Sequence, residues 1–90
     1  SPSFRDRLAA SERPLIGAWI CSGSPIVAEI VAGSRLAWTL IDGEHSPIGL
    51  ESILSLLQAV APYPVTPVVR LAANDPVLIK QVLDLGAHNL

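Results

Sequence analysis

The segment LAWTLIDGEHSP, residues 36–47, decides the fold of this 90-residue chain. The run Leu36–Ile41 is almost entirely apolar, which predicts a buried strand. The polar residues Asp42–His45 follow it, and then Ser46–Pro47, a pair typical of a helix start because serine caps free N–H groups and proline needs no N–H partner. Apolar residues recur with helical spacing over Leu50–Ala61. The segment therefore predicts a strand, a polar turn and a helix.

The same succession of elements occurs on both sides of this segment. Further apolar strands are predicted at Leu15–Ile20 and at Pro67–Arg70, the latter opening around residues 65–66. Each is followed by another pair of capping residue and proline, Ser24–Pro25 and Asp75–Pro76, and by a helical stripe. A short entry helix is predicted at Phe4–Ala10, and the start of a fourth strand at His88–Leu90. Gly33 is predicted to be a left-handed helix end, and Gly86 to end the last helix.

Three β/α units in succession define the fold class as α/β. Strands that are apolar throughout are buried on both faces, which is typical of a parallel sheet covered by helices. Two architectures remain open at this point, a doubly wound sheet and a (β/α)8 barrel, and both place their chemistry beyond the carboxyl ends of the strands. A barrel needs about 250 residues. We therefore expect residues 1–90 to be the N-terminal portion of a single larger domain, truncated at the start of its fourth strand.

The composition excludes several classes of protein. Half of the residues are hydrophobic, which excludes disorder, and the net charge of −2 offers no basic surface for nucleic acid or acidic lipid. A single cysteine, Cys21, cannot form an internal disulfide. The longest uncharged run, residues 52–69, contains three prolines and is no membrane span. Residues 1–6 lack the apolar core of a signal peptide. We expect a cytoplasmic protein that binds neither nucleic acid nor membrane.

Ionisable residues cluster at the predicted strand ends. Asp42, Glu44 and His45 come directly after the second strand, and Arg70 closes the third. Because parallel strands end at the same edge of a sheet, we expect these side chains to meet at one rim. A histidine base, an arginine that holds a developing oxyanion and carboxylates suited to a divalent cation fit proton abstraction next to a carbonyl. The structural alternative is that Arg70 pairs with Asp42 or Asp75 as an ordinary ion pair.

Other kinds of site find no support in the sequence. No serine or cysteine nucleophile motif is present, and the glycines match neither glycine-rich fingerprint for phosphate binding. The only lysine, Lys80, lies in the middle of a predicted helix, which argues against a Schiff base. We interpret Trp19 and Trp38 as core residues or as the wall of a cavity.

Several segments together resemble the HpcH/HpaI aldolases: LIDGEHSP at residues 40–47, PVVR at 67–70, and NDP at 74–76 with IK at 79–80 and LDLGA at 83–87. This family of metal-dependent pyruvate aldolases includes 4-hydroxy-2-oxoheptanedioate and 2-dehydro-3-deoxyglucarate aldolases, in the catabolism of aromatic compounds or sugar acids. The resemblance implies a (β/α)8 barrel. It implies a carbon–carbon lyase that reversibly cleaves a 4-hydroxy-2-oxo acid to pyruvate and an aldehyde.

The resemblance also implies roles for particular residues. His45 corresponds to the general base, Arg70 to the group that stabilises the enolate, and Asp84 to the acid that raises the basicity of the histidine. Asp42 and Glu44 would order water around a divalent cation, Mg²⁺, Mn²⁺ or Co²⁺. The ligands of that cation, a Glu and an Asp on later strands, are expected outside the 90 residues, so we expect this segment alone to be inactive.

The predicted position of Asp84 conflicts with a role beside His45 in the same chain. Asp84 lies about 13 Å along the third predicted helix from its start, toward the opposite rim. We therefore hypothesise a homo-oligomer in which Asp84 reaches the His45 of a neighbouring subunit. Two other functions remain open, another enolate-forming lyase on the same scaffold and a barrel segment without catalytic function.

Overall fold

The computed structural model describes residues 3–90. Ser1 and Pro2, the first residues of the segment predicted to lack the apolar core of a signal peptide, lie outside the described range. Helices and strands alternate along the described range after one entry helix, which confirms the predicted succession. In chain order, the elements are α1 Phe4–Ala10, β1 Gly17–Ile20, α2 Pro25–Ala32, β2 Trp38–Asp42, α3 Leu50–Val60, β3 Thr66–Arg70 and α4 Pro76–Asp84.

The three strands form a parallel sheet in the order β1-β2-β3. The register pairs Ile20 with Ile41 and Ile41 with Val69, and at the carboxyl edge it pairs Asp42 with Arg70. After α4 the chain returns to the free side of β3, where the Val69 N–H donates to the carbonyl of Asn89 at 2.9 Å. The predicted start of a fourth strand is therefore seen as this backbone contact.

The hydrophobic core lies on one face of the sheet. Ile20, Ile41 and Val69 point to this face and are completely or almost completely buried together with residues of α2 and α3. Because side chains alternate along a strand, the neighbouring positions Trp19 and Leu40 point to the other face. Trp19 is 51% exposed there. Burial on both faces was predicted, and within residues 3–90 it is seen on the helix-covered face only.

Helix α1 closes the amino-terminal edge of the sheet. The guanidinium of Arg7 donates to the Ala37 carbonyl at 2.7 Å and to the Thr66 hydroxyl. The ring of Phe4 meets the indole of Trp38 edge to face, with centroids 6.0 Å apart. The described helices include none with the length and apolar character needed to cross a bilayer.

Two predicted helix starts and one predicted helix end are correct. Ser24 caps α2 through its side chain, with Pro25 in the first turn, and Asp75 caps α4 by accepting from the Val77 N–H at 3.1 Å. Gly86 follows α4 with a φ of 104°, in the region that favours glycine. The prediction was correct at Ser24 and Asp75 because each side chain accepts a hydrogen bond from an N–H group of the helix that follows it.

Two other predictions are wrong. Helix α3 begins at Leu50 after Gly49, not at Ser46–Pro47, because the Ser46 hydroxyl donates to the backbone carbonyl of Asp42. Gly33 has a φ of −77°, and the left-handed residue after α2 is Arg35, with a φ of 64°. The left-handed residue after α2 therefore lies two residues later in the chain than predicted.

Strand boundaries differ from the prediction by one or two residues. Strand β1 begins at Gly17, since the preceding Leu15 carbonyl accepts from the Trp38 Nε1–H at 2.9 Å and so serves a side chain. Strand β2 extends through Asp42, one residue further than the apolar run. Asp42 therefore belongs to the sheet rather than to the turn, which determines how its side chain is held.

Candidate active site

The predicted convergence of ionisable residues at one rim is confirmed. Asp42 and Arg70 are the last residues of neighbouring parallel strands and stand opposite each other in the register. The loop after β2 stays close to β3, because the Gly43 N–H donates to the Arg70 carbonyl at 2.9 Å. A Cβ at Gly43 would lie 2.9 Å from that same oxygen, so the close approach requires glycine.

The carboxylate of Asp42 organises the rim. It accepts two hydrogen bonds from the Arg70 guanidinium, from Nε at 3.1 Å and from Nη2 at 2.7 Å. Its Oδ1 also accepts from the backbone N–H groups of Glu44 at 2.9 Å and His45 at 3.0 Å. Only 2% of the residue is exposed. One buried carboxylate therefore holds the arginine and the histidine-bearing loop in a fixed relation.

These contacts favour the charged forms of both partners. The guanidinium of Arg70, followed by the backbone N–H of His45, holds the pKa of Asp42 well below its usual range, against the opposing effect of burial. The hydrogen bond to Asp42 in turn raises the pKa of Arg70. The structural alternative named for Arg70, an ion pair with Asp42, is therefore present. Whether the arginine can also bind a ligand depends on the rest of its guanidinium.

Part of the Arg70 guanidinium remains free to bind a ligand. Among residues 3–90, its hydrogen bonds use Nε and Nη2, so the N–H groups of Nη1 are available to another partner. The guanidinium lies over the indole of Trp19, with Cζ 4.7 Å from the ring centroid. The side chain is 31% exposed, which places it at the open end of the sheet rather than in a closed interior.

Glu44 connects the two proposed catalytic side chains. Its Oε1 lies 3.0 Å from Nε2 of His45 and 3.6 Å from Nε of Arg70. The imidazole of His45 is 70% exposed, so it can meet a molecule that approaches the rim. His45 and Arg70 thus lie at the same rim of the sheet and share one neighbouring carboxylate, as the sequence predicted.

Asp84 lies apart from this group in the chain. It is the last residue of α4, and its carboxylate accepts from Lys80 Nζ at 2.8 Å across one helical turn. Both side chains are exposed. Within the described residues the carboxylate beside His45 is that of Glu44, and the contact of Asp84 with a histidine of another subunit stays a prediction.

The sequence analysis missed the role of Trp19 at this site. Of the two positions predicted for Trp19, core or cavity wall, its exposure of 51% excludes the core, and its ring contacts the guanidinium of Arg70. Alternation along β1 places it on the same sheet face as Leu40 and Arg70. That signal was available, but β2 lies between the two residues, and side-chain reach across a strand cannot be derived from alternation.

Comparison with known proteins identifies the family. The sequence model of the HpcH/HpaI aldolase/citrate lyase family matches residues 15–90. The chain belongs to this family. A 4-hydroxy-2-oxo-heptane-1,7-dioate aldolase of Salmonella arizonae is 52% identical over 88 residues, which are 98% of this chain and 33% of that protein. The chain therefore spans about a third of the length of the curated relatives it matches.

Solved structures of HpcH/HpaI proteins and their relatives define the architecture. An HpcH/HpaI aldolase/citrate lyase family protein from Burkholderia cenocepacia superposes with a TM-score of 0.87 at 40% identity, covering 92% of this chain and 33% of that one. The citrate synthase SbnG gives a TM-score of 0.81 at 29% identity, covering 94% and 34%. The HpcH/HpaI aldolases are (β/α)8 barrels, which decides between the two predicted architectures: the chain forms three β/α units of a barrel.

The residues of this HpcH/HpaI chain do not by themselves form a metal site. No group of three or more His, Cys, Asp or Glu side chains suited to a metal ion occurs among residues 3–90. The carboxylate oxygens of Asp42 are already engaged by Arg70 and by backbone N–H groups, and Glu44 faces His45. A divalent cation would need ligands from outside this segment.

Proposed function

We propose that the protein containing this chain is a carbon–carbon lyase that reversibly cleaves a 4-hydroxy-2-oxo acid to pyruvate and an aldehyde. Membership of the HpcH/HpaI family and the similarity to aldolases that act on 4-hydroxy-2-oxo-heptane-1,7-dioate support this. The observation that carries the proposal is the arrangement of Arg70, whose Nη1 has no hydrogen bond within residues 3–90 while Asp42 fixes its other edge beside His45. Because one fold supports many different reactions, the function is inferred from this site and not from the fold alone.

His45 serves as the general base in this proposal. An imidazole whose Nε2 faces a carboxylate donates that N–H to it and keeps the lone pair on Nδ1. Within the described residues this carboxylate is Glu44, at 3.0 Å, and in the oligomer proposed below Asp84 of the neighbouring subunit would replace it as the acceptor. The substrate's 4-hydroxyl gives its proton to Nδ1, C4 becomes the aldehyde carbonyl, and the electron pair of the C3–C4 bond enters the enolate of pyruvate. Return of the proton to C3 completes the cleavage.

Arg70 stabilises the enolate. A fixed guanidinium next to the developing oxyanion offers a hydrogen bond and a positive charge where the negative charge appears, and it needs no reorganisation during the reaction. The ion pair with Asp42 supplies that fixation. The proposal assigns the divalent cation, Mg²⁺, Mn²⁺ or Co²⁺, to residues outside this segment, where it would supply Lewis-acid chemistry.

The test is pyruvate release from 4-hydroxy-2-oxo-heptane-1,7-dioate by the full-length protein. We expect Arg70→Ala to lower kcat by about 10²- to 10³-fold, as removal of an oxyanion donor does, and His45→Ala to lower it by about 10²- to 10⁴-fold. Arg5→Ala removes an exposed guanidinium at the opposite edge and is the matched control. We also expect chelation by EDTA to abolish activity and a divalent cation to restore it.

Three outcomes would contradict the proposal. Unchanged turnover in Arg70→Ala would refute the role of Arg70, and absence of pyruvate release by the wild type would favour a binding or structural role of the barrel. A panel of 2-oxo acids and aldehyde acceptors tests the substrate. Activity with other members of this panel and none with the 4-hydroxy-2-oxo acid would favour another enolate-forming lyase.

We further propose a cytoplasmic homo-oligomer in which Asp84 acts on the His45 of a neighbouring subunit. The proposal is supported by the position of Asp84 at the far end of α4, paired only with exposed Lys80 among the residues described. Mixed oligomers of His45→Ala and Asp84→Asn should regain activity that neither variant has, because one interface then holds both native side chains. Mixtures no more active than their components would refute the shared site.

A further inference from the structure

Trp19 is a half-exposed aromatic residue on the open face of the sheet. It lies in β1, whereas Arg70 ends β3, and β2 separates the two strands. Neighbouring strands are about 4.8 Å apart, so the side chains of Arg70 and Trp19 must together bridge about two strand spacings to meet. Its Cζ nevertheless lies 4.7 Å from the centroid of the Trp19 ring. The guanidinium of Arg70 therefore contacts both Asp42 of β2 and the Trp19 ring of β1.

The Asp42 pair alone leaves one motion of the guanidinium unrestrained. The bonds from Nε and Nη2 define an edge and hold it against the carboxylate, but the guanidinium plane can tilt about that edge. The Trp19 ring, over which Cζ of Arg70 lies, is a second contact away from the line of these two bonds and opposes this tilt. Asp42 thus holds one edge of the guanidinium, and Trp19 contacts it from another side.

We propose that Trp19 is a positioning residue for Arg70: its indole fixes the tilt of the guanidinium so that Nη1 stays directed at the open rim. The consequence for turnover rests on the proposed aldolase function, whereas the contact itself does not. A guanidinium that is oriented before substrate binds avoids the cost of ordering it in the transition state. Leu40 and Val68, which flank the path of the arginine on the same face, offer packing but no π-system.

Kinetics of three full-length variants separate positioning from mere filling of space. Trp19→Leu keeps an apolar side chain without the ring and should lower kcat by about 2- to 10-fold, the range of a partly exposed cation–π pair, with little change in KM. Trp19→Phe keeps an aromatic face and should recover most of that loss. In an Arg70→Ala background, Trp19→Leu should have no further effect, because the group that it positions is gone.

Fluorescence provides a readout that needs neither substrate nor turnover. The emission of Trp19 is isolated as the difference between the wild type and Trp19→Phe, and the same difference is taken in an Arg70→Met background. We expect the two difference spectra to differ in intensity or wavelength, because the cation leaves the ring. Trp38, whose indole donates to the Leu15 carbonyl near the other edge, is the control: its Phe-difference spectrum should be the same in both backgrounds.

Each result decides one of the two proposals. Equal losses for Trp19→Phe and Trp19→Leu, an undiminished effect of Trp19→Leu in Arg70→Ala, or unchanged difference spectra would overturn the positioning role, while pyruvate release by the wild type would still support the aldolase. Absence of pyruvate release by the wild type would overturn the aldolase, and the spectra would still test the contact. If Trp19→Leu does not fold, the Arg70→Met spectra and Trp19→Phe remain decisive.

Discussion

Replacement of Gly17 by alanine should destabilise the protein because the start of β1 leaves no space for a side chain. Gly17 stands opposite Trp38 in the register. A Cβ there would lie closer than 3.0 Å to two indole carbons and to the backbone oxygen of Trp38, a distance that Cβ atoms essentially never show. The indole cannot simply swing away, since its Nε1 donates to the Leu15 carbonyl and its face meets Phe4. The strand itself would have to move.

The size of the effect follows from three contributions. Forcing one extra carbon into a packed region costs about 1–3 kcal/mol. Displacement of the indole would add about 0.5–1.5 kcal/mol for the hydrogen bond of Trp38. Alanine in place of glycine lowers the entropy of the unfolded chain, which returns about 0.4–1 kcal/mol. We expect Gly17→Ala to lower the free energy of unfolding by about 2 kcal/mol.

Urea unfolding of the full-length protein, followed by circular dichroism, measures this change. Gly23→Ala is the matched control, because a Cβ at Gly23 would make an ordinary contact of 3.5 Å with Ser52 Oγ, and we expect a change within about 0.5 kcal/mol. Equal midpoints and slopes for Gly17→Ala and the wild type would refute the described packing of β1 against β2. That result would also contradict the described position of Trp19, which lies two residues further along β1.

The remaining predictions concern Asp42 and the cap of α4. The native pKa of Asp42 lies below its unfolded value, near 3.8, so its charged form stabilises the fold above about pH 4 and this stabilisation is lost as the pH falls toward the native pKa. The difference in urea midpoint between wild type and Asp42→Asn should therefore narrow from pH 6 to pH 3; a constant difference would contradict the ion pair with Arg70. Asp75→Ala removes the cap on the Val77 N–H and should cost about 1 kcal/mol, measured in the same way; no change would mean that the cap does not form in solution.

Local signals in the sequence predicted helix starts wherever the capping side chain had no competing partner. Ser24 and Asp75 each bind N–H groups of the helix that follows them, as the pattern indicates. Ser46 stands in the same pattern before Pro47, yet its hydroxyl donates to Asp42 and the helix begins at Leu50. The competing acceptor is brought there by the end of β2. A capping motif directly after a strand that ends in a functional turn is therefore a weak predictor of a helix start.

The assembly of the rim was predictable for a different reason, since it follows from topology. Parallel neighbours place their last residues side by side, so Asp42 and Arg70 could be expected to meet before any distance was known. The position of Asp84 was also predictable, because a helix that follows a strand returns to the opposite rim. Which atoms pair was not predictable, because that depends on rotamers and on the path of the loop.

The ion pair between Asp42 and Arg70 does not argue against a catalytic arginine. A free guanidinium at an open rim would sample many orientations, and ordering it during the reaction would cost conformational entropy. Two bonds to a buried carboxylate remove much of that cost in advance, and within residues 3–90 they occupy one edge only, so Nη1 stays available. The same carboxylate holds the backbone of His45. The structural and the functional interpretation of this ion pair are therefore two descriptions of one arrangement, in which the fold at the end of β2 determines the distance between the proposed base and the proposed oxyanion donor.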